Sequence, residues 1–322
     1  MQRSFPGSLP TLSSGGRWYV PRGLANVGVT RRPRLGLLQA GVSLGTLTGI
    51  VFWAARQRPP HIPLDGQALA DLGAALGLYA AATALRAERW HVILGGAGLL
   101  RQRSESYGLT LVGYMGNNAL PARAGDLLRV VLVGGPRRTA LGTVVAERVL
   151  DVCALAVVFT VVVGERRLDV GPLPYLAGAA AALAVVFAVV VRLRRLRRFR
   201  DWVRPVTAST RSLVSVRGAA LLALSVALWL VEASVYLVVG SAVGIHLGVT
   251  GALYVMALTN LSALVPAGPG YVGTYDAAVL LALRSLGQPA LGYLIVLRFV
   301  LFVPITIAGF AVFLGRHSRR NT

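Results

Sequence analysis

Six apolar runs, at residues 35–54, 67–85, 139–163, 173–191, 219–243 and 289–314, dominate the sequence. Each is close to or longer than the roughly 20 residues that a helix needs to cross a hydrocarbon core of about 30 Å. A soluble fold has no way to bury so many of them. Hydrophobic residues make up 55 % of the 322 residues and charged ones 14 %, with a mean hydropathy of +0.65. The chain therefore reads as an all-α polytopic membrane protein with about six transmembrane helices.

All 33 basic residues are arginine and the formal net charge is +21. The absence of lysine beside abundant Ala, Gly, Val and Leu fits a GC-rich genome. Basic loops flanking apolar runs suit membrane orientation and anionic headgroups, and nucleic acid is the poorer explanation. Loops 1–34, 86–105, 137–138, 192–218 and 315–322 carry 24 arginines, and loops 55–66, 164–172, 244–250 and 284–288 carry five. By the positive-inside rule both termini are cytoplasmic, in a multi-pass protein of the cell (inner) membrane. Residues 1–34 lack periodicity and read as a disordered basic cytoplasmic tail, and 316–322 as a second short basic tail. The run after residue 34 is too long for a removed signal peptide and lacks a convincing small-residue cleavage site. The single Cys153 excludes an internal disulfide, and His61, His91, His246 and His317 have no ligand spacing, so no metal site is expected.

Two further apolar stretches, 106–134 and 251–283, fit the arginine count only if each enters and leaves on the same side. Each is broken near its middle, by GNNALPARAGD and by VPAGPGYVGTYD. At 1.5 Å rise per residue the resulting arms reach about half-way through a bilayer. Both stretches are expected to be re-entrant hairpins, with Pro121, Gly125, Pro266, Gly268, Pro269, Gly270 and Gly273 forming their turns. Ordinary loops between short spans are the alternative, and they spoil the count. Gly268, Gly270 and Gly273 match G-x-G-x-x-G, but no soluble strand precedes them, so no dinucleotide is expected there. Without lysine there is no Walker A motif, and neither nucleotide nor other cofactor is expected.

A shift of 150 residues lays TALGTVVAERVL (139–150) over PALGYLIVLRFV (289–300), Asp126 over Asp276 and Arg148 over Arg298. The shift divides the membrane region into halves 35–163 and 164–315, each with three spans and one hairpin. An odd number of spans inverts the second copy, so the chain reads as an inverted repeat whose broken tips converge near the midplane. That is a transporter architecture, with its site at the repeat interface.

An ionised side chain at mid-bilayer costs roughly 2.5–3.5 kcal/mol on insertion scales, so retained charges face partners or a polar cavity. The candidate substrate-binding residues are Asn118, Arg123, Asp126, Arg129, Glu147, Arg148, Asp151, Glu232, Asp276 and Arg298. Arg148 and Asp151 can pair on one helix face. Glu147 needs another cation, either Arg123 or Arg129, and Asp276 can pair with Arg298. Asp126, Arg148, Asp276 and Arg298 are expected to line one cavity between the halves, and protonation of Asp126, Asp276 or Glu147 is a candidate coupling step. Interhelical packing without transport is the competing reading of these charges. Asn117 and Asn118 suit capping of a broken helix or headgroup binding. Trp18, Trp53, Trp90, Trp202 and Trp229 read as interfacial anchors.

The motifs NNALPARAGDLLR, AERVLD and VPAGPGYVGTYDAA, in that order, resemble those of the lysylphosphatidylglycerol synthase transmembrane-region family of flippase-like membrane proteins, over about residues 35–315. Asn118, Pro121, Gly125, Asp126 and Arg129 match the first family motif with Asp in place of Glu. In the third, Tyr271 replaces a Gly and Asp276 a Glu. The resemblance implies a two-half bundle with re-entrant helices that moves or accommodates lipid headgroups. It does not imply synthase activity, which in the family resides in a separate soluble domain after the membrane part, whereas this chain ends eight residues beyond its last expected span. The expected function is flipping or scrambling of an anionic phospholipid or a polyprenyl-phosphate-linked glycan. A membrane-embedded lipid-phosphate glycosyltransferase or phosphatase, and a non-transporting scaffold for a lipid-modifying enzyme, are the alternatives. Membrane lipids are the expected partners, with a lipid-modifying enzyme or glycosyltransferase as a further one.

Overall fold

The computed structural model of the protein describes residues 65–99, 101–120, 123–166, 215–263, 269–289 and 291–321. The basic tail at 1–34, the expected spans at 35–54 and 173–191, Trp18, Trp53, Trp202, and the turn residues Pro121, Pro266 and Gly268 lie outside them. The described residues form eight α-helices and no strand: α1 (Gly66–Gly96), α2 (Arg103–Ala119), α3 (Ala124–Val133), α4 (Arg137–Arg166), α5 (Val216–Ala242), α6 (Gly248–Ser262), α7 (Thr274–Ser285) and α8 (Leu291–Asn321). A short 3-10 turn, Pro269–Tyr271, precedes α7.

Three of these helices, α1, α5 and the Leu291–Arg316 part of α8, are long and apolar enough to cross a membrane. The 30-residue α4 is also long enough, but it carries Glu147, Arg148 and Asp151 in its middle. Helix α8 runs on to Asn321, so residues expected to form a separate tail extend the helix instead. Helix α1 likewise runs past the expected end of its span at residue 85.

Local chemistry sets the helix starts. The Asp65 side chain accepts the Ala68 N–H at 2.8 Å to open α1. Ser215, which the repeat shift lays over Asp65, accepts the Gly218 N–H at 3.3 Å to open α5. The first residues of α3 and α7, Ala124 and Thr274, are related by the same shift. Each follows a left-handed residue, Arg123 at φ 56° and Gly273 at φ 98°. The breaks expected within 106–134 and 251–283 are thus real interruptions, and α2 packs on α3 as α6 packs on α7. Packing between the two sets is reciprocal. Helices α1 and α5 lie along each other, α2 packs on α8, and α6 packs on α4.

Leu228, Val235 and Val239 of α5, Val255 and Met256 of α6, Val279 and Leu283 of α7, and Leu297 and Val300 of α8 form the main apolar core. Lipid chains are as apolar as these side chains, so in a membrane such helices cohere through close contact rather than transfer from water. Gly125 supplies the closest contact. A Cβ there would lie on the Gly113 carbonyl and the Asn117 N–H, so it presses α3 against α2 from within the helix rather than forming the turn. Outward, α4 exposes Val145, Val149, Cys153, Val157 and Val161 at four-residue spacing, and α8 exposes Ile295, Phe299, Val303 and Ile307. The repeat shift lays the first four of the α4 series over the α8 series, and both form apolar stripes suited to hydrocarbon.

Candidate functional site

Three helices of the N-terminal set bring six charges into a closed ring. Asp126 and Arg129 come from α3, Glu147, Arg148 and Asp151 from α4, and Arg89 from α1. Arg148 Nη2 lies 2.9 Å from Asp126 Oδ2, and its Nη1 lies 3.2 Å from Asp151 Oδ2. Arg89 continues from Asp151 at 2.8 Å to Glu147 at 3.7 Å. Arg129 closes the circuit from Glu147 at 2.9 Å to Asp126 at 3.2 Å. Every ion has two counter-ions of opposite sign, and the ring as a whole is neutral. That arrangement is what makes six buried charges tolerable, since a desolvated ion is stable only when its neighbours satisfy it. Asn117 fixes the Asp126 end, its Oδ1 accepting the Asp126 N–H at 3.1 Å and so capping α3. The Arg129 guanidinium lies 4.6 Å from the centroid of Trp90, whose Nε1–H donates to Thr143 at 3.1 Å.

The C-terminal set has one such pair. Arg298 Nε donates to Asp276 Oδ1 at 2.6 Å and its Nη1 to the Gly270 carbonyl at 2.7 Å, over the Phe302 ring. Asp276 also accepts the Gly273 N–H at 2.9 Å, capping α7. The repeat shift lays Arg89, Arg129, Glu147 and Asp151 over Val239, Val279, Leu297 and Leu301. Hydroxyls and an amide supply the polarity there. The Tyr236 hydroxyl lies 2.8 Å from that of Tyr275 and 3.1 Å from Thr259, and Asn260 Nδ2 donates to it and to Glu232, each at 3.3 Å.

Between the two sets lies a cavity of about 90 Å³, lined among others by Arg86, Arg123, Arg148, Asp151, Glu232, Asn118, Asn260, Tyr79, Tyr114 and Trp229. It has room for a few waters or a phosphate-sized group. Arg86 pairs with Glu232 across α1 and α5, with its guanidinium over the rings of Trp229 and Tyr114 at 5.1 and 5.8 Å. The two helix breaks meet at the wall. Arg123 Nε donates to the Tyr271 hydroxyl at 3.1 Å, and its guanidinium lies 5.3 Å from that ring. Asn118 donates to Thr306 at 2.9 Å, tying the end of α2 to α8.

Of the four charges expected on this wall, Arg148 is there. Asp126 stands behind it with Arg129 and Glu147, and the Asp276–Arg298 pair sits to one side. Glu147 takes Arg129, not Arg123, and it takes Arg89 as well. Arg86 and Arg89, counted as loop arginines, are buried in α1, which lowers the larger side of the arginine count without reversing it. Trp90 and Trp229 are buried beside arginines rather than anchored at an interface. Two features of the sequence point to this part of α1. Arg86 and Arg89 share a helix face at i, i+3, and Glu232 lacked a cation.

Apolar helices of spanning length, broken helices meeting tip to tip, and a buried ionic ring behind a polar cavity together define a helical membrane protein with an internal polar site. The chain belongs to the lysylphosphatidylglycerol synthase transmembrane-region family, whose model matches residues 37–309. No curated protein and no solved structure matches it.

Proposed function

We propose that this protein moves a lipid with an anionic headgroup, a phospholipid or a polyprenyl-phosphate-linked glycan, across the cell membrane in the manner of a flippase or scramblase. The observation that carries the reading is the cavity where both hairpin tips meet. Three arginines and two carboxylates face it, and one of those arginines, Arg123, has no carboxylate within ion-pair distance among the described residues. A polar cavity inside apolar helices gives a charged headgroup a route that lipid-facing surfaces refuse.

In this reading the two helix sets are inverted copies, and the helix–break–helix units are re-entrant hairpins entering from opposite sides. Support comes from the recurrence of caps, breaks and exposed stripes at one common shift, and from the reciprocal packing of α2 on α8 and α6 on α4. Both termini are cytoplasmic. Headgroup chemistry, where it occurs, belongs to a partner enzyme. Asp126, Arg129, Glu147, Asp276 and Arg298 position the wall, while Asn118, Arg123, Arg148, Asp151 and Glu232 face the headgroup.

The cavity is far smaller than the roughly 300–1,000 Å³ that encloses a whole small-molecule ligand. It therefore receives the phosphate region of the lipid and leaves the chains, and any glycan, outside. The test is reconstitution into vesicles with headgroup-labelled phosphatidylglycerol and a membrane-impermeant quencher. Protein-dependent quenching of inner-leaflet lipid with an intact headgroup mass is expected. An altered headgroup mass would support an enzyme instead.

A further inference from the structure

Arg123 and Tyr271 are the two non-glycine residues with left-handed backbone among the described residues, and they touch each other. Such strain persists only where the surroundings over-determine it. Here the two tips are each other's side-chain hydrogen-bond partner, and the Tyr271 ring also packs on the main apolar core. The contact is a weak one for a guanidinium, with one hydrogen bond to a neutral phenol at 3.1 Å and one ring. It leaves Nη1 and Nη2 without a partner among the described residues.

The other two arginines on the cavity wall are held by carboxylates, Arg86 by Glu232 and Arg148 by Asp126 and Asp151. An incoming oxyanion can take Arg123 without breaking an ion pair. A second donor stands in the same cavity wall, where Trp229 is 5 % exposed and its Nε1–H has no acceptor among the described residues. We propose that Arg123 and Tyr271 form a clasp between the hairpin tips, which a phosphate oxyanion opens by drawing the Arg123 guanidinium from the Tyr271 hydroxyl into a charge-assisted, bidentate pair. A bidentate guanidinium–phosphate pair is stronger than a single bond to a phenol, which gives the exchange its direction. Once the clasp opens, both left-handed residues lose the contact that they share, so anion binding and tip separation are one event. This rests on the headgroup reading above.

The experiment uses the full chain in detergent, with spin labels at Leu120→Cys and Val272→Cys in a Cys153→Ser background. The probes are dihexanoyl-phosphatidylglycerol and, separately, inorganic phosphate. Binding should lengthen the distance between labels. Tyr271→Phe, which keeps the ring and removes the competing hydroxyl, should bind about two- to tenfold tighter. Arg123→Gln should bind at least about tenfold weaker and show no lengthening. Arg123→Lys, which keeps the charge but not the bidentate fork, should fall between them and serves if the glutamine variant does not fold. A response to inorganic phosphate assigns recognition to the phosphate alone, and a response to the lipid only assigns it to the intact headgroup; either supports the clasp. Unchanged or weaker binding in Tyr271→Phe, or an unchanged distance in the unsubstituted tips, overturns it. Clasp behaviour without lipid movement in vesicles would remove the transport reading alone. Lipid movement indifferent to both substitutions would remove the clasp alone.

Discussion

Arg148 and Arg298 are equivalent under the repeat shift, and each pairs with the equivalent aspartate, Asp126 or Asp276, yet their removal should not cost the same. Arg298→Gln strands Asp276, whose side chain is 5 % exposed, with the Gly273 N–H as its one remaining donor among the described residues. It also frees the Gly270 carbonyl. Leaving one buried partner uncompensated costs about 3–5 kcal/mol. Arg148→Gln removes two contacts, but Asp126 keeps Arg129 at 3.2 Å and Asp151 keeps Arg89 at 2.8 Å. No carboxylate in the ring loses its last cation, and the cost should be about half as large, roughly 1–3 kcal/mol. Equilibrium unfolding in mixed micelles measures both variants. Adding Asp276→Asn should restore most of the loss in Arg298→Gln, since the amide oxygen still accepts the Gly273 N–H. An Arg148→Gln variant as unstable as Arg298→Gln, or more so, would show that the ring does not share its charges as its geometry implies.

Gly125→Ala should destabilise the fold by about 1–3 kcal/mol, because the added methyl lands on the α2 backbone; the same unfolding assay reads it. Glu232→Gln removes the carboxylate that pairs with the buried Arg86 guanidinium and should cost about 3–5 kcal/mol, whereas Arg86→Met with Glu232→Leu should lie close to the unsubstituted protein. In a Cys153→Ser background, cysteine at position 246 should react with an impermeant reagent from outside, and cysteines at positions 103 and 196 only from the cytoplasm. Labelling of 103 and 246 from the same side would break the inverted arrangement.

The places where the chain breaks were legible because helix breaking is local chemistry. Pro121 in one stretch, and Pro266, Pro269 and the glycines at 268–273 in the other, stand between apolar runs too short to span, and α2, α3, α6 and α7 stop and start around them. The Arg148–Asp151 contact was legible from i, i+3 spacing, and that of Asp276 with Arg298 from a shared need for a partner. Arg86 and Arg89 lie beyond the apolar run of α1, whose end does not mark the end of the helix. Helix α1 continues, since two buried cations are tolerable once Glu232, Glu147 and Asp151 surround them. Those acids lie on other helices, so only the tertiary fold reveals the compensation. The tip contact between Arg123 and Tyr271 was hidden for the same reason, joining residues far apart in sequence through backbone that neither residue type favours.

Whether the charges facing the cavity serve a passing headgroup or packing alone is tested most directly by the folded double variant Arg148→Gln, Asp151→Asn. Both side chains line the cavity, and losing both leaves Asp126, Arg129, Glu147 and Arg89 as an alternating chain with no unpaired ion. Its thermal stability should match that of the unsubstituted protein, while transfer of labelled phosphatidylglycerol in vesicles should be lost. Recovery of stability and transfer together would contradict the account and leave this pair a purely structural role.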